Sequence, residues 1–368
     1  MGGSVRLLWG DAFMAYRLSD DHPLQPLRVK LTVELIRELG LDRFAEIVEP
    51  RRATHEELAL CHDPSYVRLV RRLSDDPRSA DGQALAAGFD NRDNPIAAGM
   101  HEACSAIVGA SIQAAEAVQT GAALHAFNPA GGLHHAARER ASGFCVYNDV
   151  AIAVAWLRLH GHRVAYVDVD VHHGDGTQAL FYSDPQVLTI SLHESGRYLF
   201  PGTGFTDETG VGAARRTSAN LPLAPYTWDE PWLAGFEAVV PPLLRQFRPT
   251  VLVTQDGCDT HALDPLAHLL ASTAIWPHVG RRFHELAHEL CEGRWVATGG
   301  GGYAIREVVP RAWTLLFAEM VEQPALAARL VDTEQYVPES AACQRVWTLL
   351  DRDLRSLGRE LDQPLSLQ

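Results

Sequence analysis

The chain has 368 residues, 46% of them hydrophobic and 21% charged, with 32 basic against 46 acidic residues and a formal net charge of −14. Its spread-out glycine and proline exclude disordered, repetitive and fibrous classes. The acidic balance argues against nucleic acid as a principal partner, because phosphate binding asks for a basic surface.

Met1-Gly2 opens like a myristoylation signal, but Arg6 occupies the place that needs Ser or Thr. Leu7-Leu8-Trp9 is too soon followed by Asp11 to form a secretory core, and no run of 18 apolar residues exists. The spacing predicts a strand over 4–10, an amphipathic helix over 24–39 ended by Gly40, and helical turns at 56–60 and 64–73. A long surface loop over 74–94 and a long helix over 96–119 follow, and His101, Glu102 and Gln113 exclude a membrane span there. From 123 onward strands alternate with helices: strands at 123–127, 164–171, 187–192, 219–223, 250–254 and 294–298, helices at 148–160, 176–182, 229–247 and 273–291, and a last core helix after 303. Such alternation predicts one α/β domain with a parallel sheet covered on both faces. The polar clusters at 128–144, 172–176, 256–265 and 299–303 all follow strands, so they should converge at the carboxyl rim of that sheet. Residues 321–368 read as a C-terminal helical extension, packed on or trailing the catalytic domain of residues 1–320. Six cysteines without a Cys-x-x-Cys pair suit reduced thiols, so the expected compartment is the cytoplasm, with no membrane partner. The oligomeric state is not given by the sequence.

Asp168, Asp170 and His172 stand at i, i+2 and i+4 at the end of an apolar strand, so while the chain stays extended they share one face. Two buried carboxylates in a row ask for a cation; a strand end running into a polar turn is the plain alternative. Asp259, beyond the 250–254 strand, would complete a three-ligand set of the kind that holds a catalytic zinc with an open position. Two oxygens and one nitrogen leave Fe2+, Mn2+ and Co2+ as alternatives to Zn2+. Asp256 and Asp264 are rival ligands, although Asp264 before Pro265 reads as a turn residue. His134 and His135 follow Gly131-Gly132-Leu133, and adjacent histidines need a loop to present them together. A surface pair is the ordinary reading; in company with Asp168 and Asp175, each able to orient one imidazole, one histidine can serve as general base to an attacking water. The Gly299 to Gly302 run lets backbone pass close to a ligand and ends on Tyr303, a donor suited to an oxyanion; no Lys-Ser/Thr follows to make it a phosphate loop.

Gly132-Leu133-His134-His135, Gly143-Phe144-Cys145, Asp168 to Gly176, Phe200 to Gly204, Asp259 and Gly299 to Tyr303 together resemble, in order and spacing, the zinc-dependent histone deacetylase superfamily over residues 4–320. Asp20 to Pro23, Arg28 to Thr32 and Gly257 to His261 look closest to the bacterial acetoin utilization deacetylases. The resemblance implies a single-domain arginase/deacetylase-like three-layer α/β fold with a central eight-stranded parallel sheet. It implies Zn2+ on Asp170, His172 and Asp259, His135 as general base and then acid, and His134 as mainly electrostatic. Asp168 and Asp175 would support the histidines, and Tyr303 would donate to the tetrahedral intermediate. Phe144 and Phe200, beside Gly143, would wall an acyl-lysine channel, and Asp93 would grip the substrate backbone. A structural K+ is implied near Asp168, Asp170, His172, Ser191 and Leu192. The second metal of the related arginases needs aspartates that would fall at Gly174 and Gly257, so a single catalytic ion is expected. Leu266 stands where acetylpolyamine deacetylases carry an acidic gatekeeper, which disfavours polyamines. The implied activity is a metal-dependent lysine deacetylase acting on an acetylated protein or peptide, with acetyl-CoA synthetase as a candidate substrate. Deacetylation of small amines such as acetylpolyamines, and non-catalytic binding of acyl-lysine, are the alternatives.

Overall fold

Val164–Asp168 reads VAYVD, and all five residues are buried. A strand covered on both faces cannot alternate apolar with polar, so its whole sequence turns apolar. Five further strands are likewise buried at every residue. The computed structural model describes residues 5–367, so the Met1-Gly2 opening, Ser4 at the start of the expected first strand and the final residue lie outside the described residues.

The strands are β1 (Val5–Leu8), β2 (Ala45–Val48), β3 (His125–Asn128), β4 (Val164–Asp168), β5 (Val187–Glu194), β6 (Ser218–Leu223), β7 (Val251–Gln255) and β8 (Trp295–Thr298). They form one sheet of eight strands in the order β2-β1-β3-β8-β7-β4-β5-β6, every pair parallel. This bears out the arginase/deacetylase-like fold expected from the sequence. The long helices are α1 (Leu27–Glu38), α2 (Pro64–Asp75), α3 (Met100–Thr120), α4 (Asp149–Leu159), α5 (Asp229–Phe247), α6 (Ile275–Leu290), α7 (Val309–Met320) and α8 (Ser340–Leu361). Helices α3 and α4 pack together, while α1, α7, α6, α5 and α8 form a second connected layer. Both α4 and α5 touch β4, and both α3 and α6 touch β8, which requires one layer on each face of the sheet. Among the described residues no helix is long and apolar enough to cross a membrane. The cysteines are all free.

Two expectations need correction, and one strand was not expected. The strand read as 164–171 ends at Asp168, because the Asp168 carboxylate accepts the Asp170 N–H (3.1 Å) and the Asp170 carboxylate accepts the His172 N–H (3.0 Å). Two successive turns of this kind compete with the sheet ladder, so Asp168, Asp170 and His172 do not form one extended row. The loop read over 74–94 contains a helical turn, Pro77–Ser79, and a short helix, Gly82–Ala86, whose first N–H groups are capped by Asp81. Strand β2 had no place in the sequence reading; as an edge strand of four residues with two exposed, it carries little apolar signal.

Candidate active site

The loops that carry chemistry follow β3, β8, β7 and β4, which are four consecutive neighbours at the centre of the sheet. Their carboxyl ends therefore deliver the His134-His135, Tyr303, Asp259 and Asp170-His172 segments to one place on the rim. One ligand atom each from Asp170, His172 and Asp259 lies within 4.8 Å of the others, and all three residues are buried. His172 Nδ1 is 3.2 Å from Asp170 Oδ1 and 3.1 Å from Asp259 Oδ2.

The remaining carboxylate oxygens are held away from that point. Asp170 Oδ2 accepts from Gln255 Nε2 (2.7 Å) and from the Gly301 N–H (2.6 Å), while Asp259 Oδ1 accepts from the Val171 N–H (2.9 Å). Each acid thus has one oxygen tied by the protein and one turned to His172, the arrangement expected of oriented metal ligands. Backbone crowds the acids from outside: a Cβ on Gly257 would lie 2.0 Å from Asp170 Oδ2, and one on Gly301 only 1.9 Å from Asp259 Oδ2. Burial lowers the His172 pKa, yet its hydrogen bonds to Asp170 and Asp259 lift it to about 10, so the pocket attracts positive charge. The donor set fits a divalent cation such as Zn2+. Asp256 is not part of it, since its carboxylate accepts from Thr254 Oγ1 (2.7 Å) and burial holds its pKa well above the usual range. Asp264 is also elsewhere, accepting the Leu266 N–H (3.0 Å) as a turn residue and the Tyr303 N–H (2.7 Å).

The histidine pair stands beside this cluster. His134 Nδ1 donates to Asp168 Oδ2 (2.7 Å), His135 Nδ1 donates to Asp175 Oδ1 (2.6 Å), and the two Nε2 atoms face each other at 3.0 Å. With both Nδ1 protons committed, a contact between the Nε2 atoms needs one further proton, so the pair carries a net positive charge. Burial opposes that charge on His134, but Asp168 and Asp170 raise its pKa to about 9. Burial, followed by the charge on His134, lowers His135 to about 4. The neutral member is therefore His135, whose ring centroid lies 5.8 Å from that of His172.

Aromatic side chains close over the two groups. The Phe200 ring is 44% exposed and its centroid is 5.0 Å from that of His135, while the Phe144 and Tyr303 rings meet edge to face at 5.6 Å. Gly143 adopts φ +50°, and a Cβ there would strike the His135 ring at 2.4 Å. A cavity of about 350 Å³ brings Asp93, Gly143 and Phe200 to one lining, and the Asp93 carbonyl accepts from His22 Nε2 (3.2 Å). Ser191 pairs in register with Asp168 across β4 and β5, and its hydroxyl bonds His193 Nδ1 (2.8 Å); Leu192 follows it in the buried strand.

Several supporting residues escaped the sequence reading. Asp149 accepts the Gly132 and Leu133 N–H groups (3.2 and 2.8 Å), and Asn148 donates to the His134 carbonyl (2.9 Å), so the start of α4 shapes the histidine loop. Tyr166 donates to Asp168 Oδ2 (2.5 Å) from within β4. Only the Asn-Asp pair at the helix start carried a signal, and it reads as an ordinary cap. His173 bonds Thr203 Oγ1 through Nδ1 (2.8 Å) and supports the loop that carries Phe200.

A parallel α/β sheet with this acid and imidazole cluster at its carboxyl rim defines an arginase/deacetylase-type hydrolase frame with a candidate metal centre. The histone deacetylase domain model matches residues 22–320. The acetoin utilization protein AcuC of Bacillus subtilis (strain 168) is 43% identical over 314 residues, covering 85% of this chain and 81% of that protein. AcuC of Staphylococcus aureus (strain MRSA252) is 39% identical over 318 residues, covering 86% and 82%, and AcuC of Staphylococcus xylosus is 38% identical over 319 residues, covering 86% and 83%. The chain belongs to the histone deacetylase family, a family of hydrolytic and typically metal-dependent deacetylases.

Proposed function

We propose that this chain is a cytoplasmic, metal-dependent amidohydrolase that removes acetyl groups from lysine side chains of a protein or peptide and releases acetate. The observation that carries the reading is the meeting of the Asp170, His172 and Asp259 cluster with two carboxylate-backed histidines under an aromatic rim. Asp170, His172 and Asp259 would hold Zn2+, with Fe2+, Mn2+ or Co2+ as possible replacements. The bound cation supplies Lewis-acid polarisation of the amide carbonyl and lowers the pKa of the attacking water.

His135 takes the proton of the water as its oxygen bonds to the carbonyl carbon, and Asp175 steadies the resulting imidazolium. His134, backed by Asp168, contributes fixed positive charge. Tyr303 donates to the developing oxyanion. The carbon–nitrogen bond then breaks as the imidazolium returns a proton to the lysine nitrogen, which leaves as the amine. Phe144, Phe200 and Gly143 would sheathe the lysine stem, Asp93 would bind the substrate backbone, and Leu266 would line the entrance. K+ near Asp168, Asp170, His172, Ser191 and Leu192 would stiffen the strand ends that bear the ligands. Acetyl-CoA synthetase is the physiological substrate proposed, on the resemblance to acetoin utilization deacetylases alone.

Turnover of acetyl-lysine peptides and of acetylated polyamines, measured side by side with and without a chelator, tests the proposal. Chelator-sensitive hydrolysis of the peptides is expected. Tyr303→Phe should keep its metal and lose on the order of 100-fold or more in kcat, as when an oxyanion donor is removed. Hydrolysis that ignores the chelator, or full activity in Tyr303→Phe, refutes the mechanism.

A further inference from the structure

The sheet has a second rim, and a second cluster of imidazoles sits on it. His125 is the first residue of β3, paired in register with Val5 and Trp295 at the starts of β1 and β8. His284 and His288 lie one turn apart near the end of α6, so they share one helix face. One ring nitrogen from each of the three lies within 4.8 Å of the others. The ring centroids are 4.9 Å apart for His125 and His284, 5.2 Å for His125 and His288, and 4.6 Å for His284 and His288.

Two features point to a ligand rather than to packing alone. The Nδ1 atoms of His125 and His284 are buried and make no hydrogen bond, and His125 is only 3% exposed. His284 Nε2 faces Glu322 Oε1 at 3.3 Å, a contact that favours the proton on that nitrogen and a free lone pair on Nδ1. A carboxylate on the far nitrogen is how metal-binding histidines are oriented. Burial, then His284 and His288, hold the His125 pKa down at about 3, which leaves its ring neutral at physiological pH. His288 is exposed and gives an ion a route from solvent.

We propose that His125, His284 and His288 form a second divalent-metal site, opposite the catalytic rim, for a cation of the kind imidazole prefers: Zn2+, Ni2+, Co2+ or Cu2+. Three imidazole nitrogen donors and no carboxylate among them distinguish it from the Asp170, His172 and Asp259 cluster. Its donors come from a strand start and a helix end, so an ion there would staple α6 to the sheet.

The test uses tag-free, full-length protein equilibrated with excess Zn2+, freed of unbound ion, and analysed for zinc per chain by mass spectrometry. His288→Ala, at an exposed position, should fold normally, keep its deacetylase turnover and hold one equivalent of zinc fewer than the wild type. His284→Gln should show the same loss, and Co2+ titration of the wild type should give a second visible band, beyond that of the Asp170, His172 and Asp259 site, that neither variant shows. Equal zinc content in the wild type and both variants overturns the proposal.

Discussion

Gly301 shows how far a single atom decides the site. Its missing Cβ leaves room for Asp259 Oδ2 and Asp170 Oδ2, which would lie 1.9 and 2.8 Å from that carbon, and its N–H binds Asp170. Gly301→Ala should therefore push both acids off their positions while leaving the hydrophobic core alone. A fall in turnover of roughly 100-fold or more is expected from displacement at the reacting centre, together with weakened metal retention in a chelator competition; an active variant with normal retention would contradict the role given to this glycine. The acids and imidazoles of the cluster were legible in the sequence because their residue types are costly to bury without a purpose. Their supports, Gln255 to Asp170 and Asp149 to the Gly132 and Leu133 amides, were not. Those bonds join residues far apart in the chain, and nothing in local spacing announces them.

At the scale of elements, Asp332 ties the metal-loop region to the helices around it. Its carboxylate accepts from His261 Nε2 (2.8 Å) and the Thr273 N–H (2.9 Å), and it pairs with Arg311 on α7. Burial alone would raise its pKa, but the Thr273 N–H, His261 and Arg311 hold it well below the usual carboxylate range. The folded carboxyl binds its proton more weakly than the unfolded one, so its stabilisation is complete above about pH 4 and is lost as the pH falls further. Asp332→Asn should cost about 2 kcal/mol at neutral pH, the scale of charge-assisted hydrogen bonds in a partly buried network. The difference in Tm between the two proteins should shrink on acidification below about pH 4; a difference independent of pH would refute the account. Elements were read from the sequence in proportion to their apolar signal. Helix α5 was read to its observed ends, Asp229–Phe247, because its apolar residues recur throughout. Strand β2 and the helix Gly82–Ala86 were missed, being too short for periodicity to register.

Across the whole molecule, the C-terminal segment closes the fold. Helix α8 packs on the edge strand β6 and on α5, burying Val346, Leu350, Leu354, Leu357 and Leu361. Those five side chains contribute on the order of 10 kcal/mol of apolar burial, before the entropy of ordering the helix is counted. A chain ending at Glu339 should expose β6, lose solubility and melt at a markedly lower Tm, since an uncovered edge strand invites association; an unchanged Tm would show that α8 is dispensable. By itself the sequence determined the α/β alternation, the parallel sheet and the residue types at the candidate site, because buried strands and costly buried charges leave local marks. Only the tertiary structure decided which carboxylate oxygen faces His172, that β4 stops at Asp168, and that His125 meets His284 and His288. Those outcomes depend on strand order and on hydrogen bonds between distant loops, which no stretch of chain specifies alone.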